Sequence, residues 1–96
     1  MFVVLGYRND CGDVAVFMVE DSHGRDSWET FEEARSVMRV SYEVMSEEYA
    51  PDGSRDGRDK RKRRILKASA EFSVPIWDGE RKRESSLKCK WKIVRI

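Results

Sequence analysis

The strongest constraint on the fold is an alternation of apolar and polar residues in the C-terminal third of the chain. Apolar side chains occupy the even positions from Leu66 to Ile76 and the odd positions from Leu87 to Ile93. A period of two predicts β-strands that bury one face. Asp78-Gly79 lies between the two segments and favours a two-residue hairpin turn. The sequence therefore predicts a C-terminal β-hairpin.

The predicted turn also predicts a register for this hairpin. If Trp77 pairs with Glu80, Leu66 lies opposite Trp91 and the apolar residues of both strands share one face. A slip of one residue would send them to opposite faces. The other face then carries opposed basic residues, which are unfavourable unless they are well solvated or bind an anion. In this register Lys67 lies opposite Lys90, Ser69 opposite Lys88, and Ile65 opposite Lys92.

A second hairpin is predicted at the N-terminus. Residues 2–8 and 13–20 are rich in strand-forming residues, and the segment 9–12 between them has a turn composition. Both faces of this hairpin are apolar. One face carries Val3, Leu5, Tyr7, Val14, Val16 and Met18, and the other carries Phe2, Val4, Gly6, Ala15, Phe17 and Val19.

One long amphipathic helix is predicted between the hairpins. Thr30 and Glu33 fit a capping box, and the helix is expected to run from about Phe31 to Glu48, before Pro51. Apolar residues recur at spacings of three and four, which places them on one side of the helix. They are Phe31, Ala34, Met38, Tyr42, Met45 and Tyr49.

These elements predict a two-layer α+β fold. We expect a four-stranded, mainly antiparallel sheet in the order ββαββ, with the long helix on one face. The 96 residues are predicted to form one domain, residues 1–96, with a flexible charged loop at about 50–62.

Charge is sorted along the chain although the formal net charge is only +1. Residues 20–52 carry ten acidic side chains and three arginines, whereas residues 53–96 carry fifteen basic and six acidic side chains. A basic run and a lysine-rich strand face together predict a site for nucleic acid or an acidic protein surface. The predicted site consists of Arg58, Lys60, Arg61, Lys62, Arg63, Arg64, Lys67, Lys88, Lys90 and Lys92.

The N-terminal hairpin predicts a second contact surface. One helix covers only one side of a sheet, so the other apolar side of this hairpin needs a different cover. We expect a homodimer or a docking face through Phe2, Val4, Phe17 and Val19. The acidic helix face, with Glu32 and Glu33, is expected to contribute to a protein interface as well.

The sequence contains few residues of the types that carry catalysis or bind metals. His23 is the single histidine, and the two cysteines, Cys11 and Cys89, are too far apart and too few for a zinc site. We therefore expect no metal, no cofactor and no enzymatic activity; chemistry based on Cys11 and His23 is the alternative.

The apolar segments are too short for a membrane span or a signal-peptide core, so the sequence predicts a soluble cytoplasmic protein without membrane contact. The basic run also resembles a nuclear import signal if the source cell has a nucleus.

The leading functional prediction is a small non-enzymatic interaction protein. It would dock on a larger protein or nucleoprotein and modulate or inhibit it, as accessory and anti-defence proteins of phages and mobile elements do. The alternative is a direct DNA- or RNA-binding protein that uses the basic loop and the lysine-rich sheet face.

Overall fold

A computed structural model describes residues 1–10, 12–49, 59–79 and 82–96. The elements in chain order are β1 (Phe2–Asp10), β2 (Asp13–Met18), α1 (Phe31–Glu47), β3 (Lys62–Ile65), β4 (Ser69–Asp78) and β5 (Arg83–Arg95). The strands form one five-stranded antiparallel sheet in the order β2-β1-β5-β4-β3. The fold is α+β, as predicted, but with five strands rather than four.

The core lies between α1 and one face of the sheet. Trp91 is its centre: its ring stacks on Phe72 and meets the edge of Tyr42, each at a centroid distance of 5.8 Å. The Trp91 indole Nε1–H donates to the Ser41 hydroxyl on α1 at 2.9 Å, which satisfies the one polar group of this buried side chain. The helix packs on β1, β4 and β5.

The predicted helix is confirmed, with an end one residue earlier than expected. Ala34, Met38 and Tyr42 are buried, and Phe31 packs against the core with them. At the N-terminus the backbone N–H of Glu33 donates to Thr30 Oγ1 at 3.2 Å. The Thr30 hydroxyl in turn donates to the Glu33 carboxylate at 3.0 Å, so the two side chains fix the first turn.

The connector between β2 and α1 is organised by Asp21. Its carboxylate accepts from Trp28 Nε1, Arg25 Nε, and the backbone N–H groups of His23 and Arg25, at 2.8–3.1 Å. Partial desolvation would raise the pKa of Asp21, but these four donors outweigh it and hold the pKa far below its ordinary value. Asp21 thereby fixes Trp28, which is buried and exchanges two backbone hydrogen bonds with Phe2.

β3 is the additional strand, which the predicted order ββαββ lacks. Lys62–Ile65 pairs with β4, and the turn after it is closed by a hydrogen bond from the Leu66 N–H to the Ser69 carbonyl at 2.8 Å. The alternation of apolar and polar residues does not predict this strand, because its helix-facing positions are Arg63 and Ile65 and a charged residue at such a position breaks the apolar pattern. Most of the predicted loop, residues 50–58, lies outside the described residues.

The C-terminal hairpin is confirmed, but its predicted register is wrong. Trp91 lies opposite Ala70 rather than Leu66, and the last pair is Asp78 with Arg83 rather than Trp77 with Glu80. The shift is by an even number of residues. The apolar positions therefore still share one face, as a period of two requires.

The described residues include no helix that is both long and apolar enough to cross a membrane.

Candidate interaction surface on the open sheet face

The sheet face that α1 does not cover is divided into two halves of different chemistry. We call it the open face. Its apolar half comprises Leu5, Tyr7, Val14, Val16 and Met18, and its basic half comprises Lys62, Arg64, Glu71, Lys88, Lys90 and Lys92. Strand alternation places all these side chains on one side, because each is in register with the next across the sheet.

A single row across the sheet shows how the two halves meet. Val16 lies opposite Tyr7, Tyr7 opposite Lys90, Lys90 opposite Glu71, and Glu71 opposite Arg64. Across the five strands, this row therefore begins with an apolar residue at the β2 edge, continues with an aromatic residue on β1, and ends with three charged residues on β5, β4 and β3. The rows on either side repeat the order, with Met18, Leu5 and Lys92 in one and Val14, Asn9 and Lys88 in the other.

The part of the apolar half that lies on β2 is strongly exposed. Val14, Val16 and Met18 on β2 have exposed fractions of 57%, 69% and 50%. Single exposed apolar residues are ordinary, but a contiguous group on a sheet face is typical of an interface.

The basic half carries five cationic side chains and one carboxylate, and all five cations are solvent-exposed. In the part of the chain that the structure describes, none of the five is in an ion pair. Their predicted pairing is corrected by the new register: Lys90 lies opposite Glu71, Lys88 opposite Ser73 and Lys92 opposite Ser69, so no lysine opposes a lysine across β4 and β5.

Two adjoining hollows mark this half. One, of about 350 Å³, is lined by residues that include Lys62, Arg64, Glu71, Lys88 and Lys90. The other, of about 470 Å³, shares Arg64, Glu71 and Lys90 with it and extends to Lys92. An anionic group placed between them would meet several cations at once, which a single surface lysine does not offer.

The basic run is split between the two faces, which corrects part of the predicted site. The Arg61 side chain is only 7% exposed and is neutralised internally. It donates two bonds to Asp59, at 2.6 and 2.9 Å, and one to the Ser46 carbonyl at 2.7 Å. Arg63 faces the helix, with its guanidinium 5.5 Å from the Tyr42 ring centroid and its Nε 3.3 Å from the Tyr42 hydroxyl.

The other predicted basic residues have separate positions. Lys62 and Arg64 lie on the open face with Lys88, Lys90 and Lys92, whereas Lys60 is exposed ahead of β3. Lys67 is exposed in the turn between β3 and β4, where its carbonyl accepts from Arg35 Nε at 3.1 Å. Arg58 lies outside the described residues.

The predicted apolar interface was assigned to the wrong face of the N-terminal hairpin. Val4 and Val19 are buried in the cluster that contains Met38, and Phe2 and Phe17 pack against it. This face is the one that α1 covers, so its residues are core. The exposed apolar residues are those of β2 on the opposite side. Because both faces are apolar, a period of two could not decide between them.

Glu32 and Glu33 are exposed in the first turn of α1, on the layer opposite the open face. The fold does not bring them to the basic half.

The residues of the alternative chemistry are only partly described by the structure. His23 is exposed in the connector, and its backbone N–H donates to Asp21. Cys89 is buried, and burial raises the pKa of its thiol, which disfavours the reactive thiolate. Cys11 lies outside the described residues. Over the described ranges, no three His, Cys, Asp or Glu side chains cluster as metal ligands would.

Comparison with known proteins adds no relative: no protein-family profile, curated protein or solved structure matches this chain.

Proposed function

We propose that this chain is a non-enzymatic interaction protein that docks through its open face on a larger protein or nucleoprotein and modulates or inhibits it. One observation carries the proposal: an exposed apolar strip and a set of cations without ion pairs in the described chain lie side by side on one uncovered sheet face. Apolar contact supplies affinity, whereas charge complementarity supplies orientation and association rate. The partner surface would therefore be acidic beside an apolar patch.

The proposal is tested by charge reversal on the two layers. Lys90→Glu changes the middle of the open face, and Arg39→Glu makes the same change on the exposed side of α1, where Arg39 forms only a long 3.9 Å pair with Glu43. Captured partners from the native host, with nuclease treatment, should be retained by the wild type and Arg39→Glu and lost by Lys90→Glu. Equal capture by both variants would remove the open face as the docking site.

A second candidate, direct binding of single-stranded nucleic acid, is favoured by one arrangement. Tyr7 lies between Val16 and Lys90 in register, so a partly exposed aromatic ring lies beside the lysines on the open face. Sheet-based readers of single strands stack bases on such rings and contact the phosphates with neighbouring cations.

Salt dependence separates the two candidates. For nucleic acid, the logarithm of the association constant should fall linearly with the logarithm of salt concentration. Each of Lys88, Lys90 and Lys92 changed to Ser should then reduce the slope by about one if it contacts a phosphate. If no binding of a labelled oligonucleotide is detected at low salt, the nucleic-acid candidate is eliminated and the protein-docking candidate is left.

A further inference from the structure

The outer edge of β2 offers a row of backbone groups for another strand. The Val19 N–H donates to the Val4 carbonyl at 3.0 Å, which directs residue 19 toward β1. Residues 13, 15 and 17 point the same way because hydrogen-bonding direction alternates along an antiparallel strand. The N–H and C=O groups of Val14, Val16 and Met18 therefore point outward. Within the described ranges none of these groups has a backbone partner on that side.

The two edges of the sheet differ in how they are protected. β3, the other edge, reads Lys-Arg-Arg-Ile, and positive charge on an edge strand opposes pairing with another chain. β2 reads Asp-Val-Ala-Val-Phe-Met, with no Lys, Arg or Pro, and three of its residues carry large apolar side chains that are exposed. Only β2 has the composition of an edge that accepts a partner strand.

We propose that β2 pairs antiparallel with β2 of a second copy of this chain, about a two-fold axis at Val16. This register is self-complementary. Val16 faces Val16 of the second copy, and Val14 faces its Met18, so the apolar side chains meet on the open face. These are also the residues whose backbone groups point outward, so each opposed pair can exchange two hydrogen bonds.

The remaining side chains of β2 accept the same register. On the helix side Ala15 lies opposite Phe17 of the second copy, a small residue against a large one. The one charged residue, Asp13, lies opposite Val19, so no like charges are opposed. Since α1 packs on β1, β4 and β5, it does not occupy the β2 edge.

The dimer would have a continuous ten-stranded sheet, twice the five strands of one chain. Its open face would carry a central apolar strip from both β1–β2 pairs, with a basic half on each side. This assembly does not depend on the identity of the partner proposed above, and its test requires no partner.

The first measurement is the mass of the full chain by light scattering at about 100 μM, where a micromolar Kd leaves most chains paired. The expected mass is twice 11.3 kDa. Val16→Pro removes one outward N–H but leaves the bonds of residues 15 and 17 to β1, so it should yield a folded monomer. Ile65→Pro is the matched change at the other edge of the sheet, because the Ile65 backbone N–H points away from β4, and this variant should remain dimeric.

The second measurement locates the axis. In hydrogen-bonded antiparallel pairs the Cα atoms are about 5.5 Å apart, a separation that a disulfide spans. In a Cys11→Ser background, Val16→Cys should form a covalent dimer on oxidation, whereas Val40→Cys, similarly exposed on α1 at 61% against 69%, should not. A wild-type monomer at this concentration, a Val16→Pro dimer, or equal cross-linking at both cysteines would each overturn the proposal.

Discussion

The two faces of the same sheet follow opposite physical rules, although their residues alternate one by one along each strand. On β5, Trp91 is fully covered and makes contacts with Phe72, Tyr42 and Ser41, while its neighbour Lys90 is exposed on the open face. The covered face is specified by shape, because aromatic rings must interlock with the helix. The open face is specified by composition alone. This difference predicts that stability depends mainly on the covered face, whereas residues of the open face can be changed at little cost in stability.

The largest predicted effect comes from truncating two adjacent residues that lie on opposite faces of the sheet. Trp91→Ala should lower the free energy of unfolding by about 3–5 kcal/mol, because it opens a cavity at the centre of the core and leaves the Ser41 hydroxyl without its donor. Lys90→Ala should change it by less than about 0.5 kcal/mol. Urea denaturation of both variants measures the difference, and similar losses would show that the open face is also structural.

A smaller effect is expected from adding one methyl group to the covered face. Gly6 lies opposite Phe17, and a Cβ at Gly6 would overlap the Phe17 ring. Gly6→Ala should therefore destabilise the protein by about 1–3 kcal/mol through displacement of that ring.

The control is a double-mutant cycle with Phe17→Leu, which shortens the opposing side chain. The loss caused by Gly6→Ala should shrink in the Phe17→Leu background. An unchanged loss would mean that the ring is not the obstacle.

Two consecutive basic residues provide the next comparison. Arg61 is paired with Asp59 and caps the Ser46 carbonyl, whereas Lys62 lies on the open face. Arg61→Ala should cost about 1–2 kcal/mol, because a buried carbonyl near the end of α1 loses its charged donor. Lys62→Ala should be close to neutral in the same denaturation experiment, and an equal cost for both would contradict the division of the basic run.

The covered face of α1 and β5 could be predicted from the sequence, because burial of one side imposes a regular spacing of apolar residues, whereas the covered face of the N-terminal hairpin could not. The helix stripe of Ala34, Met38 and Tyr42 and the inward residues of β5 were identified from spacing alone. The predicted hairpin register differs from the observed one by four residues, because the prediction centres the hairpin on Asp78-Gly79 and the observed pairing ends at Asp78 and Arg83. A shift by an even number of residues leaves every side chain on the same face, so the apolar pattern cannot distinguish the two registers.

The open face was harder to predict, because exposed residues are not constrained by packing. Alternation predicts that Lys88, Lys90 and Lys92 share one basic face. It does not predict which residues of β1 lie beside them, because a local sequence pattern carries no information on strand order. β3 was missed because Arg63 occupies an inward position. An arginine can do so here since Tyr42 offers both a ring face and a hydroxyl.

The smallest predicted effect is a loss of stability in acid, and it comes from carboxylates that fix segments at the margin of the covered layer. Hydrogen bonds and charge from Arg61 lower the pKa of Asp59 from 3.8 to about 2, and four donors lower that of Asp21. Between about pH 4 and 2 the unfolded chain then binds more protons than the folded one, so stability must fall as the pH falls through this range. At neutral pH the stabilisation is complete.

Asp59→Asn should be less stable than the wild type at pH 7, and the two should converge near pH 2. Thermal unfolding across this range measures it, with Asp13→Asn at the exposed start of β2 as the matched control. A wild-type profile that stays flat down to pH 2, or parallel profiles for Asp59→Asn and the wild type, would show that the Arg61 pairing does not stabilise the fold.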